Sequence, residues 1–547
     1  MTAAMDDKIL VVGLDGATFD LIDPLVEINK LPTFARLLRG GAAGFLRSTI
    51  PALTPPAWVS SVTGVNPGKH GVFDFLTHGQ GPGPRPVRSS DWRAESFWHM
   101  LNAAGHRVGV LNFPVTYPPF PIEGFMVSGM MTPTDAEDFL HPAGALSWLQ
   151  KEIGSYRIGV DEGNLIFGRR RAFLADLKRI TDLHTEAALR LARRYDVDVL
   201  HVIYDGADRL QHYYWHEWVA PPGQIRDRVS GIVEHYQHLD RALEKLQREF
   251  NARRIMIYSD HGFGPLERIV HIDYWLALKK YAQLSKSVRS GEARESRSAA
   301  ERLAYRLGLG TILKRLLPRA VKRVADRRTG APPHKYDWSR TRVYFASQAS
   351  QSLSINVRDR ESNGIVEPGA AYDELCEALV GELSELSDPV SNTPIFDAVY
   401  RRKSLFQGPL SEEANDLILV PRPGHYLVGG DYPELLSRPR EGSFPWTGCH
   451  RRTGLFILWG PEVSAGTHNL TAEIPDIAPT VLHWLGLQVP EYMDGRVITE
   501  SFDPSFLKSH PVHLRGEALH APRVSIGKMD TGEEDVVRRL REMGYLE

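Results

Sequence analysis

Short apolar runs recur along the chain, each closed by a turn or a polar residue. Lys8–Leu14 (KILVVGL) ends in Asp15-Gly16, and the same form returns at Arg107–Asn112, Asp198–Tyr204, Arg254–Ser259 and Leu455–Trp459. Uninterrupted runs of this length are typical of strands covered on both faces of a parallel sheet. Between them lie stretches with apolar residues three and four apart, which predict helices at Ala172–Tyr195, Arg228–Glu249 and Tyr372–Leu386. Strands alternating with helices predict an α/β fold: a doubly wound, mostly parallel sheet with helices on both faces, plus inserted cap segments.

At 547 residues the chain exceeds what one core usually carries. We expect a catalytic-size domain over 1–510, with insertions at about 76–195 and 266–345 and a C-terminal tail at 511–547. The Gly/Pro-rich Gly79–Arg88 reads as a surface loop. Lys279–Lys335 is compositionally foreign, with sixteen Lys or Arg against four Asp or Glu, a balance of +12. It holds an expected amphipathic helix at Ala299–Leu317, suited either to roof a site or to touch an anionic membrane. The whole chain carries a formal charge of −2, so no nucleic-acid partner is expected. Two cysteines, Cys376 and Cys449, exclude a disulfide scaffold and a cysteine-built zinc site. Acids near the start, and no apolar stretch of the ~18 residues a membrane span needs, lead us to expect a soluble, cytoplasmic protein.

Chemistry gathers where strands end. Asp15 follows the first run, where a lone Asp-Gly also serves as turn chemistry. Thr54, in LTPPAWVSSVT, precedes two prolines and an expected helix. It is either a plain N-cap or a hydroxyl at a helix start, where a phosphate is readily held. Asp208 and His212 follow Asp198–Tyr204 at i, i+4, the spacing that puts two side chains on one helix face for a shared ion or a simple ion pair. Asp260 and His261 follow RIMIYS in a glycine-containing turn, and His450 precedes Leu455–Trp459. Together these are three carboxylates, three imidazoles and one hydroxyl, enough for two divalent metal ions. Mixed nitrogen and oxygen donors without thiolate favour Zn²⁺, with Mn²⁺ as the alternative.

The order of these residues resembles the alkaline phosphatase superfamily, and within it the type I phosphodiesterase/nucleotide pyrophosphatase family. The resemblance rests on Asp15, on the run Thr54-Pro55, Thr63-Gly64, Pro67 and His70-Gly71, on D-x(3)-H at Asp208 and His212, on S-D-H-G at Asp260 and His261, and on the late His450. The closing stretch Ile474–Ile498 is also similar to that superfamily's C-terminal core segment. The resemblance implies a metal-dependent hydrolase of a small phosphate ester, with one ion on Asp15, Thr54, Asp260 and His261 and the other on Asp208, His212 and His450. It maps the nucleophile to Thr54. Where family pyrophosphatases carry an Asn that holds a phosphate oxygen, this sequence has Phe75. The stretch LTPPAW lacks the Cys or Ser and the Arg of a sulfatase. The alternatives that remain are a phosphomutase or phospho-group transferase of the same superfamily, and a non-catalytic protein that binds anionic surfaces.

Overall fold

The computed structural model of the chain describes residues 8–77, 84–218, 230–285, 335–439, 445–523 and 532–546. Nine strands form the central sheet: β1 (Ile9–Leu14), β2 (Ala42–Arg47), β3 (Val108–Phe113), β4 (Gly124–Ser128), β5 (Leu140–His141), β6 (Val199–Tyr204), β7 (Arg254–Tyr258), β8 (Thr453–Trp459) and β9 (Thr467–Glu473). Their order across the sheet is β9-β2-β8-β7-β1-β6-β3-β4-β5. β1 pairs in parallel with β6 and β7, β3 with β6 and β4, and β9 with β2; β8 and the short β5 run antiparallel to their neighbours. The fold is therefore the expected α/β type, a mostly parallel sheet between helices.

β1 shows why the apolar runs lack alternation. All of its residues are buried, Ile9 and Val11 in one apolar cluster and Leu10, Val12 and Leu14 in the other. Successive side chains point to opposite faces, so a strand covered twice must be apolar at every position. Helices Thr54–Thr63, Phe97–Ala103 and Ile477–Trp484 cover the first face through Trp58, Trp98 and Val481. Arg170–Tyr195 and Gly231–Phe250 cover the second through Leu177 and Leu243. The stretch 76–195, read from sequence as an insertion, supplies β3, β4, β5 and the Arg170–Tyr195 helix to these layers.

A second, smaller core lies between β7 and β8 in sequence. Strands Val343–Ser347, Ser352–Ile355, Leu417–Pro421 and Phe396–Arg401 form an antiparallel sheet in that order. Helix Ala370–Ser384, the one predicted at Tyr372–Leu386, packs on it through Cys376, Leu379 and Leu383. Most of the basic stretch, with the helix expected at Ala299–Leu317, lies outside the described residues, as does the start of the Gly79–Arg88 loop. Among the described residues no helix is long and apolar enough to cross a membrane.

Candidate active site

β6, β1 and β7 lie side by side and in parallel, so their carboxyl ends open on one edge of the sheet, where ligands collect in open α/β folds. Asp15 directly follows β1, and Asp260 and His261 follow β7 after Ser259. β6 runs into helix Gly206–Tyr214, which presents Asp208 and His212 one turn apart. His450 arrives on Gly448–Arg451, a strand paired antiparallel with Gly262–Pro265 so that His450 stands opposite Phe263. This pairing stacks the His450 ring on His261, with 3.7 Å between centroids. Gly262 permits the approach, since a Cβ there would lie 1.8 Å from the Thr453 carbonyl oxygen.

Two overlapping clusters result. Asp15, Asp260 and His261 form one, and Asp208, His261 and His450 the other, with the ligand atoms of each within 4.8 Å of one another. His212 joins the second, its Nε2 3.0 Å from His450 Nε2 and 3.5 Å from Asp208 Oδ1.

Thr54 is buried and opens the helix Thr54–Thr63. Leu53 holds the N-cap position and no side chain caps this helix, so the capping role open to Thr54 is not the one it plays. Two residues earlier, the Ala52 carbonyl accepts His450 Nδ1 at 2.9 Å. One turn later, Trp58 Nε1 donates to Asp15 Oδ2 at 3.4 Å. The Thr54 turn is thus tied to both clusters. Trp58 can lie this close because β1 has Gly13, whose added Cβ would come within 2.4 Å of the indole. The helix start is a poorer anion cradle than its position suggested. Pro55 and Pro56 have no N–H, and the Ala57 amide is spent on the Leu53 carbonyl.

The hydrogen bonds place one proton on each imidazole. His212 Nδ1 donates to the Gly448 carbonyl and His261 Nδ1 to the Gly262 carbonyl, both at 3.1 Å, as His450 does to Ala52. A carbonyl only accepts, so each Nδ1 carries a proton and each Nε2 faces the clusters, where a neutral ring offers a lone pair. His212 Nε2 and His450 Nε2 then face each other across 3.0 Å, and two neutral rings would oppose their lone pairs there. A second proton would relieve this, but burial pushes His212 down to about 3. In the other cluster Asp15 Oδ1, Asp260 Oδ2 and His261 Nε2 are buried without a hydrogen-bond partner. Burial first, and then neighbouring carboxylates, push Asp15 and Asp260 well above the usual carboxylate range. Burial also works upward on Asp208, but His212 and His450, when they carry a second proton, outweigh it and hold that carboxyl below its ordinary value. Buried carboxylate oxygens without a donor, and imidazole nitrogens pressed together, are costly in isolation. A divalent cation removes both defects, so the donor set fits a metal.

Several neighbours carried no recognisable signal in the sequence. Gln211 Nε2 donates to the Gly16 carbonyl at 3.0 Å and its Oε1 accepts from Tyr236, which fixes the turn after Asp15. Trp446 lies over the His212 ring at 3.7 Å. Tyr545, from the far end of the chain, donates its hydroxyl to Asp208 Oδ2 at 2.9 Å and packs at a tilt against the Phe75 ring. The available hint was the apolar stripe Val536, Leu540 and Met543, spaced to dock one face of a helix.

Acids and imidazoles thus converge at the carboxyl edge of a mostly parallel sheet, a candidate metal site on an α/β fold. The family model of type I phosphodiesterase / nucleotide pyrophosphatase matches residues 9–444, and the chain belongs to that family. It is accordingly a metal-dependent hydrolase of phosphoric esters. Similar solved structures include phosphonoacetate hydrolase from Sinorhizobium meliloti 1021 in complex with phosphonoformate, at 17% identity and TM-score 0.49, over 84% of this chain and 92% of that one. Human ectonucleotide pyrophosphatase / phosphodiesterase 5 is another, at 14% identity and TM-score 0.47, over 92% of this chain and 99% of that one. The murine counterpart in complex with AMP gives 14% and 0.47, over 88% and 96%. Among curated protein sequences, none matches this chain significantly.

Proposed function

We propose that the protein hydrolyses a small phosphate ester through a Thr54 nucleophile beside two divalent ions, Zn²⁺ in the first instance and Mn²⁺ as the alternative. One ion would be held by Asp15, Thr54, Asp260 and His261, the other by Asp208, His212 and His450. The observation that carries this reading is the convergence of ligand atoms without donors: Asp15 Oδ1 and Asp260 Oδ2 face His261 Nε2 at 3.5 and 3.3 Å with no hydrogen bond among them, and His212 and His450 Nε2 face each other across 3.0 Å. When bound, such ions supply Lewis acidity to an attacking hydroxyl and to a leaving oxygen.

The chain's own groups do the rest. Thr54 Oγ gives up its proton and forms the bond to phosphorus while the ester P–O bond breaks, and the leaving oxygen departs with its electron pair and takes up one proton, so that none is gained or lost. Water then attacks the phosphothreonine: its oxygen leaves on phosphate, or on a phosphate monoester when the substrate is a diester, and one of its protons restores the Thr54 hydroxyl. Carbonyl bonds from Ala52, Gly448 and Gly262 hold the three imidazoles in one tautomer and orientation throughout.

The test is a screen of Zn²⁺- and Mn²⁺-loaded protein against aryl phosphate monoesters, diesters and sulfates, with elemental analysis of the same preparation. Turnover of a phosphate ester with about two ions per chain supports the reading. Turnover that survives complete metal removal overturns it.

A further inference from the structure

The C-terminal segment reaches the candidate metal site and is fastened from several sides. Helix Glu533–Met543 pairs Glu533 with Arg88, and Asp535 accepts both the amide and the hydroxyl of Thr134. Arg539 donates to the Thr132 carbonyl at 3.0 Å, Trp446 Nε1 to the Met543 carbonyl at 3.1 Å, and Gln348 of the smaller core to the Gly544 carbonyl at 2.7 Å. Val536, Leu540, Met543 and Tyr545 are buried in the main apolar cluster. This is a docked element whose last turn ends at the ligands.

The two oxygens of Asp208 divide the work. Oδ1 faces His450 Nε2 at 3.1 Å and His212 Nε2 at 3.5 Å, the position a shared cation would take. Oδ2 accepts the Tyr545 hydroxyl at 2.9 Å, the shorter of that hydroxyl's two contacts, the other being His212 Nε2 at 3.3 Å. Tyr545 is held in turn by the Phe75 ring, 4.8 Å away, and by Trp446, 5.5 Å away. A carboxylate fixed through its outer oxygen presents its inner one in a single orientation, and such outer partners tune metal affinity.

We propose that Tyr545 is a positioning residue: by bonding Asp208 Oδ2 it orients Asp208 Oδ1 for the ion held with His212 and His450. The C-terminal segment is then a working part of the active site. This rests on the two-ion reading above, and the experiment separates the two.

Zn²⁺ is titrated into metal-free full-length protein in competition with a chromophoric chelator, for wild type, Tyr545→Phe, Asp208→Asn and the double variant. Phe keeps the ring contacts with Phe75 and Trp446, so the variant retains the fold, checked by its melting temperature and tryptophan fluorescence. The expected result is two Zn²⁺ per wild-type chain, and a loss of about 10- to 100-fold in affinity at one site only in Tyr545→Phe. In the Asp208→Asn background the Tyr545 change should add nothing, because the bond it removes no longer serves a ligand. Wild-type affinity at both sites in Tyr545→Phe, or a loss that adds fully to that of Asp208→Asn, overturns the positioning role while the two-ion reading stands. A wild-type chain that takes up no Zn²⁺ overturns both.

Discussion

At the scale of single residues, Thr54 separates chemistry from structure most cleanly. Its side chain makes no capping bond, so truncation should leave stability nearly unchanged. Loss of a nucleophile, in contrast, should slow turnover by on the order of 10³-fold or more. Thr54→Ala should therefore melt with wild type and be almost inactive, while Thr54→Ser should keep partial activity. Rate and melting temperature measured on one preparation decide this, and a fully active Thr54→Ala removes Thr54 from the mechanism. Asp208 and His450 offer a second test, since their 3.1 Å contact makes them one unit. Each alanine variant should lose one ion, and the double variant should be little worse than either. Fully additive losses in activity would place them on different ions. These seven candidates were legible because carboxylates, imidazoles and a hydroxyl beside strand ends are the wrong side chains for a plain turn in such numbers. Gln211, Trp446 and Tyr545 were not, because an amide or an aromatic ring becomes part of a site only through what the fold places next to it.

At the scale of elements, the sequence was clearest where physics leaves least freedom. β1, β6 and β7 are covered on both faces, so their apolar runs stood out, and the long helices carried a clear 3.6-residue pattern. β2 (AAGFLR) and β9 (THNLTAE) were illegible, since each leaves several residues partly open to solvent and their pairing is set by partners distant in sequence. The contact between β1 and the Thr54 helix was equally hidden, because it depends on an absent side chain. Gly13→Ala tests it. The new Cβ would lie 2.3 Å from Ile203 Cδ1 and 2.4 Å from Trp58, so one of them must move. Overpacking of this kind costs about 1–3 kcal/mol. If Trp58 gives way, its bond to Asp15 goes too, and the Thr54 turn loses its tie to that cluster. The variant should show a lower melting temperature, altered tryptophan fluorescence and weaker Zn²⁺ binding together. Unchanged Zn²⁺ affinity in a destabilised variant would mean that Trp58 only fills space.

At the scale of the molecule, the parallel strands bring three chain-distant acids to one edge, and the same dense core buries imidazoles that no metal would use. His70, His201 and His235 are wholly buried, and burial pushes each down to about 3 from 6.5. The bonds of two of them agree with a neutral ring. His201 Nδ1 accepts from Trp98 and its Nε2 meets the Tyr258 hydroxyl, while His70 Nδ1 accepts from the Val72 amide and its Nε2 meets Ser60. The sign of the pH effect follows directly. The unfolded chain takes up these protons near pH 6.5 and the folded chain does not, so the stabilisation is complete above that pH and is lost as pH falls toward 3. By pH 5 each imidazole should have withdrawn about 2 kcal/mol of folding stability. The urea midpoint of chelator-treated protein should fall steeply between pH 7 and pH 5, without any metal to release. His201→Phe should be less stable than wild type at pH 8, having lost two hydrogen bonds, yet show a shallower slope below pH 6.5. A midpoint that is flat from pH 7 to pH 5 in the metal-free protein would show that these rings are already reached by water.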